Sequence, residues 1–381
     1  MLIYLLPNTS ASARLEGGCP RKTPRVTWSA RKRCAWLVLN LRWSHDGERL
    51  KWDSSTHPAQ MEYVNLGRSG VKVSRICLGA MSFGNGESWM VEMEDAGPIM
   101  KKALDLGINF IDTANVYSHG RSEEIVGTLL KGTRDDVVLA TKVFFPVGKG
   151  PNDSGLSHFA IAREIDRSLA RLQTDHVDLY QTHRWDYSTP IEETLRALDE
   201  VVRTGKSRYL GASSMYAWQF AKALFLSDIL GTARFACMQQ HYNLCYREEE
   251  REMIPLCKDQ GIATIAWSPL ARGFLTGKYS RRSKPSNVRY KTDPYLASRF
   301  FRPEDFDVVE RNVEVAKEKG VKPAQLALAW LFKKEVTAPI IGATKVEHIE
   351  EAVEALSIKL SKDDVERLEE PYKSHKVIGP M

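Results

Sequence analysis

Val177–Arg203 reads VDLYQTHRWDYSTPIEETLRALDEVVR, a short apolar run followed by a helical pattern. Val177–Gln181 has the length and content of a buried strand, and Ile191, Leu195, Leu198 and Val202 recur at the spacing of one helix face. The same unit repeats in both directions. Apolar runs at Ile76–Ala80, Asn109–Asp112, Val137–Thr141, Arg208–Ser213, Phe235–Gln239, Ile262–Trp267 and Ala338–Ile341 bring the total to eight. Amphipathic stretches bound them, Ile349, Val353 and Leu356 being one more example. Strand–helix alternation implies parallel strands with right-handed crossovers, and eight repeats predict an α/β protein of the closed (β/α)8 TIM-barrel type.

Two departures from the rhythm belong to this expectation. Ahead of the first run, Glu62–Leu66 and Val71–Ser74 flank Gly67-Arg68-Ser69-Gly70 and read as an N-terminal β-hairpin. Between the seventh and eighth runs, Ser268–Arg302 is too long for a passive connector. Pro303–Lys319 and Pro323–Lys334 then predict extra helices, each with proline near its first turn. A doubly wound nucleotide-binding fold is the competing architecture, but Leu78–Gly84 (LGAMSFG) lacks the GxGxxG spacing after the first strand.

Composition narrows the function classes. The 381 residues are 43% hydrophobic and 27% charged, as in globular chains. No run reaches the roughly 18 apolar residues of a membrane span. The net charge of +6 resides in residues 1–60, with ten basic and four acidic side chains; the remaining 44 basic and 44 acidic residues cancel. The folded body therefore carries no charge argument for nucleic acid or membrane partners. Residues 1–60 also hold four of nine Trp and show no sustained period, so they are expected to form an extension outside the native fold, with residues 61–381 as the barrel domain. The alternative for that segment is a targeting or interaction role. Six cysteines without a CxxC pair predict neither a disulfide framework nor a zinc ribbon, and a cytoplasmic location is the simplest expectation.

In a barrel of this kind chemistry lies at the C-terminal strand ends. The second strand runs out through Asp112 to Tyr117, the third through Lys142 and the fourth through His183. A buried lysine needs a carboxylate, and Asp112 is the available one. A cation beside a phenol favours the phenolate, which makes Tyr117 a proton donor usable near neutral pH. A neutral His183 could orient a carbonyl oxygen. No nucleophile with an adjacent base and no metal-ligand spacing is evident, so the attacking group is expected from a cofactor, as hydride.

With those residues in view, the chain from Met61 to about Leu368 resembles the aldo-keto reductase superfamily, in particular the branch of aryl-alcohol dehydrogenase-like reductases and potassium-channel β subunits. Gly107–Ser118 (GINFIDTANVYS), Val138–Lys142, Val177–Asp186, Gln239–Leu244 and Trp267–Tyr279 carry the resemblance over some four-fifths of the chain. It implies that Asp112, Tyr117, Lys142 and His183 form a catalytic tetrad, without a metal, reducing a small-molecule aldehyde or ketone with NADPH. It further implies that Ser213, Ser214 and Gln239 hold the nicotinamide carboxamide and that Trp267 lies against the nicotinamide face. Ser268, Leu270, Gly273 and Lys278 would cross the pyrophosphate. Gly342 to Lys345 would open a helix whose N-terminus holds a phosphate, with Thr344 and Lys345 taking the 2′-phosphate and Glu351 reaching the adenine. His348 and Ala352 stand where related sequences often carry Gln and Asn, which leaves NADH as a second cofactor. The rival reading is a nicotinamide-binding regulatory subunit with vestigial catalysis. His183 opposes it, because the channel β subunits typically carry Asn there. Trp89, Phe144, Trp185 and Tyr187, in loops at the barrel mouth, favour an apolar or aromatic carbonyl compound.

Overall fold

The computed structural model describes residues 61–281 and 291–378, together with two short strands, Arg42–Trp43 and Arg49–Leu50. The chain divides into two compact units, Met1–Thr56 and His57–Met381. In the first, those two strands pair antiparallel. The rest of the predicted extension lies outside the described residues.

The second unit is an eight-stranded parallel barrel: β1 Cys77–Gly79, β2 Phe110–Asp112, β3 Val138–Val143, β4 Val177–Thr182, β5 Ser207–Ser213, β6 Phe235–His241, β7 Ala263–Trp267 and β8 Ala338–Gly342. Pairing of Ile340 with Cys77 and Ile341 with Leu78 closes β8 onto β1. Helices follow the strands: α1 Met93–Asp105, α2 Arg121–Leu129, α3 His158–Leu172, α4 Ile191–Arg203, α5 Ala217–Leu230 and α6 Met253–Gln260. After β7 come α7 Pro294–Arg299, α8 Pro303–Lys319 and α9 Pro323–Lys333; α10 Val346–Glu354 and α11 Lys362–Glu369 follow β8. The expected strands are present with ends shifted by no more than two residues. α4 shows why these helices form where they do. It buries Ile191, Leu195, Leu198 and Val201, and carries Glu192 and Glu193 in its first turn and Arg203 in its last, matching the helix dipole.

The lumen is filled in layers. Cys77, Phe110, Val138, Ala140, Leu179, Cys237, Ala263, Ile265, Ala338 and Ile340 pack together inside it, and Leu66 and Val73 join them from below. Those last two come from the predicted hairpin, whose strands Tyr63–Asn65 and Lys72–Ser74 pair antiparallel and plug the N-terminal end. The turn fits only as glycine at Gly67: its φ is +61°, and a Cβ would lie 2.7 Å from the Gly261 carbonyl oxygen. Arg68 N donates to that same carbonyl at 2.9 Å and fastens the plug.

Candidate active site

Side chains alternate along a strand, so two residues beyond each apolar lumen residue the chain points into the lumen again. Above Phe110 comes Asp112, above Ala140 comes Lys142, above Leu179 comes Gln181, and above Cys237 comes Gln239. The layer thus changes from apolar to polar within one step up the barrel.

Lys142 is fully buried and Asp112 is 2% exposed. Lys142 Nζ donates to Asp112 Oδ1 at 2.5 Å, to the Thr113 carbonyl at 2.7 Å and to the Tyr117 hydroxyl at 3.2 Å. All three ammonium donors are therefore used. Burial works against the ammonium, yet Asp112 and Tyr117 outweigh it and hold Lys142 above the ordinary lysine value. The other carboxylate oxygen, Asp112 Oδ2, accepts from Gln181 Nε2 and Gln239 Nε2, both at 2.9 Å.

Tyr117 enters this layer from a strained turn. Ser118 and His119 adopt φ of +46° and +54°, and Gly120 continues at +96°. Ser118 and His119 lie where non-glycine residues are uncommon, and such residues cluster at functional sites. The segment leading to the turn is tied to β3, with Thr113 N donating to Ala140 O and Asn115 N to Lys142 O. Behind it, Asn115 Nδ2 donates to the buried Glu164.

His183, one residue past the end of β4, meets the Tyr117 ring edge to face at 5.8 Å and the Phe145 ring at 4.9 Å. Burial, with Lys142 and Arg184 nearby, pushes its pKa well below the usual imidazole range, so it is neutral at pH 7. Its Nδ1 is buried with no partner among the described residues. The four predicted catalytic residues thus occupy one place.

The predicted cofactor residues form a track from this centre to the start of α10. Ser213 and Ser214 hydroxyls are 3.2 Å apart, and Trp267 Nε1 donates to Ser214 Oγ at 2.9 Å. Gln239 spends its amide nitrogen on Asp112 and Gln181, and among the described residues its Oε1 has no partner. The Trp267 ring is stacked on His241 at 4.0 Å, and His241 in turn on Tyr246 at 4.3 Å. Ser268, Ala271 and Arg272 have φ near +50°, and a Cβ at Gly273 would meet nothing within 4 Å. Leu270 carries the carbonyl that Gly273 N and Leu275 N share. Lys278 and Lys345 are exposed, have no carboxylate partner among the described residues, and both lower the pKa of the half-buried His348, whose shift is due first to burial. Gly342 ends β8, Thr344 N donates to His348 Nδ1 at 3.4 Å, and Lys345 is the N-cap residue of α10. Glu351 is the exception: it pairs with Lys322 at 2.6 Å, so an adenine contact would compete with that pair.

Four contributors escaped the sequence reading. Gln181 braces Asp112. His241 backs Trp267. Arg184 is buried beside His183. The fourth is a strap at α7: Arg272 pairs with Asp293 at 2.5 Å, and the Arg299 guanidinium lies over the rings of Trp267 and Tyr295 at 5.6 and 4.7 Å. Period-two alternation could have found Gln181 and His241, because each lies two residues beyond a lumen residue of its own strand.

A barrel with this site matches the family described as Aldo/keto reductase over residues 75–373. The chain belongs to that family. The aldo/keto reductase is 41% identical over 337 residues to versiconal hemiacetal acetate reductase of Aspergillus parasiticus, covering 82% of this chain and 97% of the relative. It is 40% identical over 338 residues to a putative aryl-alcohol dehydrogenase of Schizosaccharomyces pombe, covering 81% and 95%, and 39% identical over 359 residues to an aldo-keto reductase of Metarhizium robertsii, covering 85% and 95%. It is an oxidoreductase, and its family acts on carbonyl compounds with nicotinamide cofactors. No helix among the described residues is long and apolar enough to cross a membrane.

Proposed function

We propose that this reductase converts an aldehyde or ketone to the alcohol with NADPH, Tyr117 giving the proton and the cofactor supplying hydride. The observation that carries the reading is the hydrogen-bonded line Asp112–Lys142–Tyr117, which leads from the buried carboxylate to a phenol hydroxyl on a half-buried residue. As the carbonyl oxygen gains charge it takes the Tyr117 proton, and the ammonium of Lys142 stabilises the phenolate left behind. Asp112, held by two glutamine amides, keeps Lys142 charged and aimed. Neutral His183 donates to the same carbonyl oxygen through the ring nitrogen facing it and so fixes which atom is attacked.

The cofactor track fits a nicotinamide dinucleotide. Gln239 Oε1 and the serine hydroxyls suit a carboxamide, and the Trp267 face suits the nicotinamide ring. The left-handed turns at Ser268, Ala271 and Arg272 and the open space at Gly273 suit close approach of a pyrophosphate. Lys278 and Lys345 supply two unpaired positive charges at the start of α10, where a 2′-phosphate is stabilised by charge and helix dipole together. That favours NADPH over NADH. Buried free cysteines at 77, 237, 245 and 257 suit a reducing compartment such as the cytoplasm. The test is direct: purified protein, NADPH and a panel of aldehydes, followed at the reduced nicotinamide absorbance. Turnover of any of them supports the reading. Tight NADPH binding with no turnover across the panel would favour the regulatory alternative.

A further inference from the structure

Arg184 helps to keep His183 neutral but has no direct role in the proton transfer above, and it is the most deeply buried arginine among the described residues, at 9% exposed. Its guanidinium lies over the Phe145 ring at 5.3 Å and makes one hydrogen bond, from Nη1 to the His183 carbonyl at 2.5 Å. Its Nε is buried without a partner, and no carboxylate among the described residues influences it; its neighbours in charge are Tyr117, Arg299 and Tyr295. Four other arginines sunk into this barrel have carboxylate partners: Arg171 has Glu123, Arg134 has Asp178, Arg247 has Glu250 and Glu369, and Arg272 has Asp293. A desolvated cation without a counter-ion is costly and rarely left so. Burial moves Arg184 down to about 10, which still leaves it charged at neutral pH.

The position matters as much as the missing partner. Phe145 contacts both the His183 ring and the Arg184 guanidinium. The cation is therefore one aromatic ring away from the histidine that faces the reacting carbonyl. Phe144 packs on Phe145 at 5.2 Å, and Trp185 faces Trp218 at 6.2 Å on the same rim. A flat substrate between such walls would carry its own substituent to Arg184.

We propose that Arg184 is a specificity residue that binds a carboxylate on the substrate, so that the preferred carbonyl compounds are aromatic oxo acids rather than neutral aldehydes. This rests on the carbonyl-reductase reading above. A guanidinium can take a carboxylate through two parallel donors, which gives orientation as well as attraction.

The test compares 4-formylbenzoate with 4-methylbenzaldehyde, which places a methyl group where the carboxylate was. Wild-type kcat/KM should favour the carboxylate roughly ten- to a hundredfold, the worth of a charge-assisted contact. In Arg184→Met the ratio should collapse towards one while NADPH affinity, read by fluorescence, is retained; Arg184→Lys should recover part of it. A wild-type enzyme that reduces both aldehydes equally, or prefers the neutral one, overturns the proposal and leaves the reductase reading standing. Equal loss on both substrates in Arg184→Met, or weakened NADPH binding, overturns it in favour of a structural or cofactor role. No turnover of either aldehyde, or of any in the wider panel, overturns both.

Discussion

The two ends of the barrel are built from opposite materials. At the N-terminal end Leu66, Val73, Phe110 and Ala263 fill the lumen and a hairpin seals it. At the C-terminal end, one step up the same strands, the lumen holds a lysine, an aspartate and two glutamines. Strain divides the same way. Eight non-glycine residues have positive φ among those described; Gln173 ends a helix, and the other seven (Ser118, His119, Ser214, Ser268, Ala271, Arg272 and Phe301) lie in loops after β2, β5 and β7. Among the described residues, unpartnered buried groups at His183, Arg184 and His241 are there too, although Arg134 and Thr232 show that the N-terminal end also has some. One end is optimised to hold the fold; the other gives up local stability to keep polar groups ready for ligands.

The comparison can be broken most severely at Lys142. Lys142→Met removes the cation that serves both Asp112 and Tyr117. It should lower turnover by roughly 10²–10⁴ and, by leaving Asp112 buried and uncompensated, destabilise the fold by about 3–5 kcal/mol. Denaturant titration beside a rate assay checks both. A stable, active variant would mean that the polar layer carries neither function nor strain.

Farther from the centre, Lys345→Glu should weaken NADPH roughly ten- to a hundredfold, about 1.5–3 kcal/mol, and NADH much less. Equal loss for both cofactors in a fluorescence titration would remove Lys345 from the 2′-phosphate site.

A smaller effect sharpens the contrast through pH. His183 and His241 are both held well below the ordinary imidazole value, His183 by burial, Lys142 and Arg184, and His241 by burial and a group of nearby arginines led by Arg299, with His375. Between those lowered values and the unfolded value near 6.5, the unfolded chain binds more protons than the native one. Stability should therefore fall as pH drops below about 6.5, each histidine contributing up to about 1.4 kcal/mol per pH unit. His241→Phe should show a shallower slope between pH 6.5 and 5 in denaturant melts. An unchanged slope would show that His241 is not held neutral.

The smallest expected effect concerns residues 1–60. A chain starting at Met61 should melt, bind NADPH and turn over like the full-length protein, because the strand–helix pattern begins there. A loss of many degrees in Tm would make the extension part of the fold.

The architecture was legible because its signal is repetitive: eight short apolar runs alternate with helical faces, and the proline starts of α8 and α9 are local. The gathering of Asp112, Tyr117, Lys142 and His183 was legible because each follows a strand end, where barrels collect chemistry. What escaped depends on register between strands. Alternation places Gln181 in the lumen, but that it braces Asp112 depends on the pairing of Lys142 with Gln181 across β3 and β4, which no local pattern encodes. The α7 strap escaped for another reason. Its Arg272–Asp293 pair is separated by 21 positions of sequence without periodicity, so the sequence shows length there and not direction.

In the proposed mechanism the polar layer delivers one proton through Tyr117. Single-turnover hydride transfer from NADPH to 4-formylbenzoate, or to the best aldehyde of the panel, measures it in Tyr117→Phe beside wild type. The variant keeps the ring and loses only the hydroxyl, so NADPH should still bind and the hydride-transfer rate should fall by roughly 10²–10⁴. A Tyr117→Phe enzyme that transfers hydride at a near-normal rate would contradict the account.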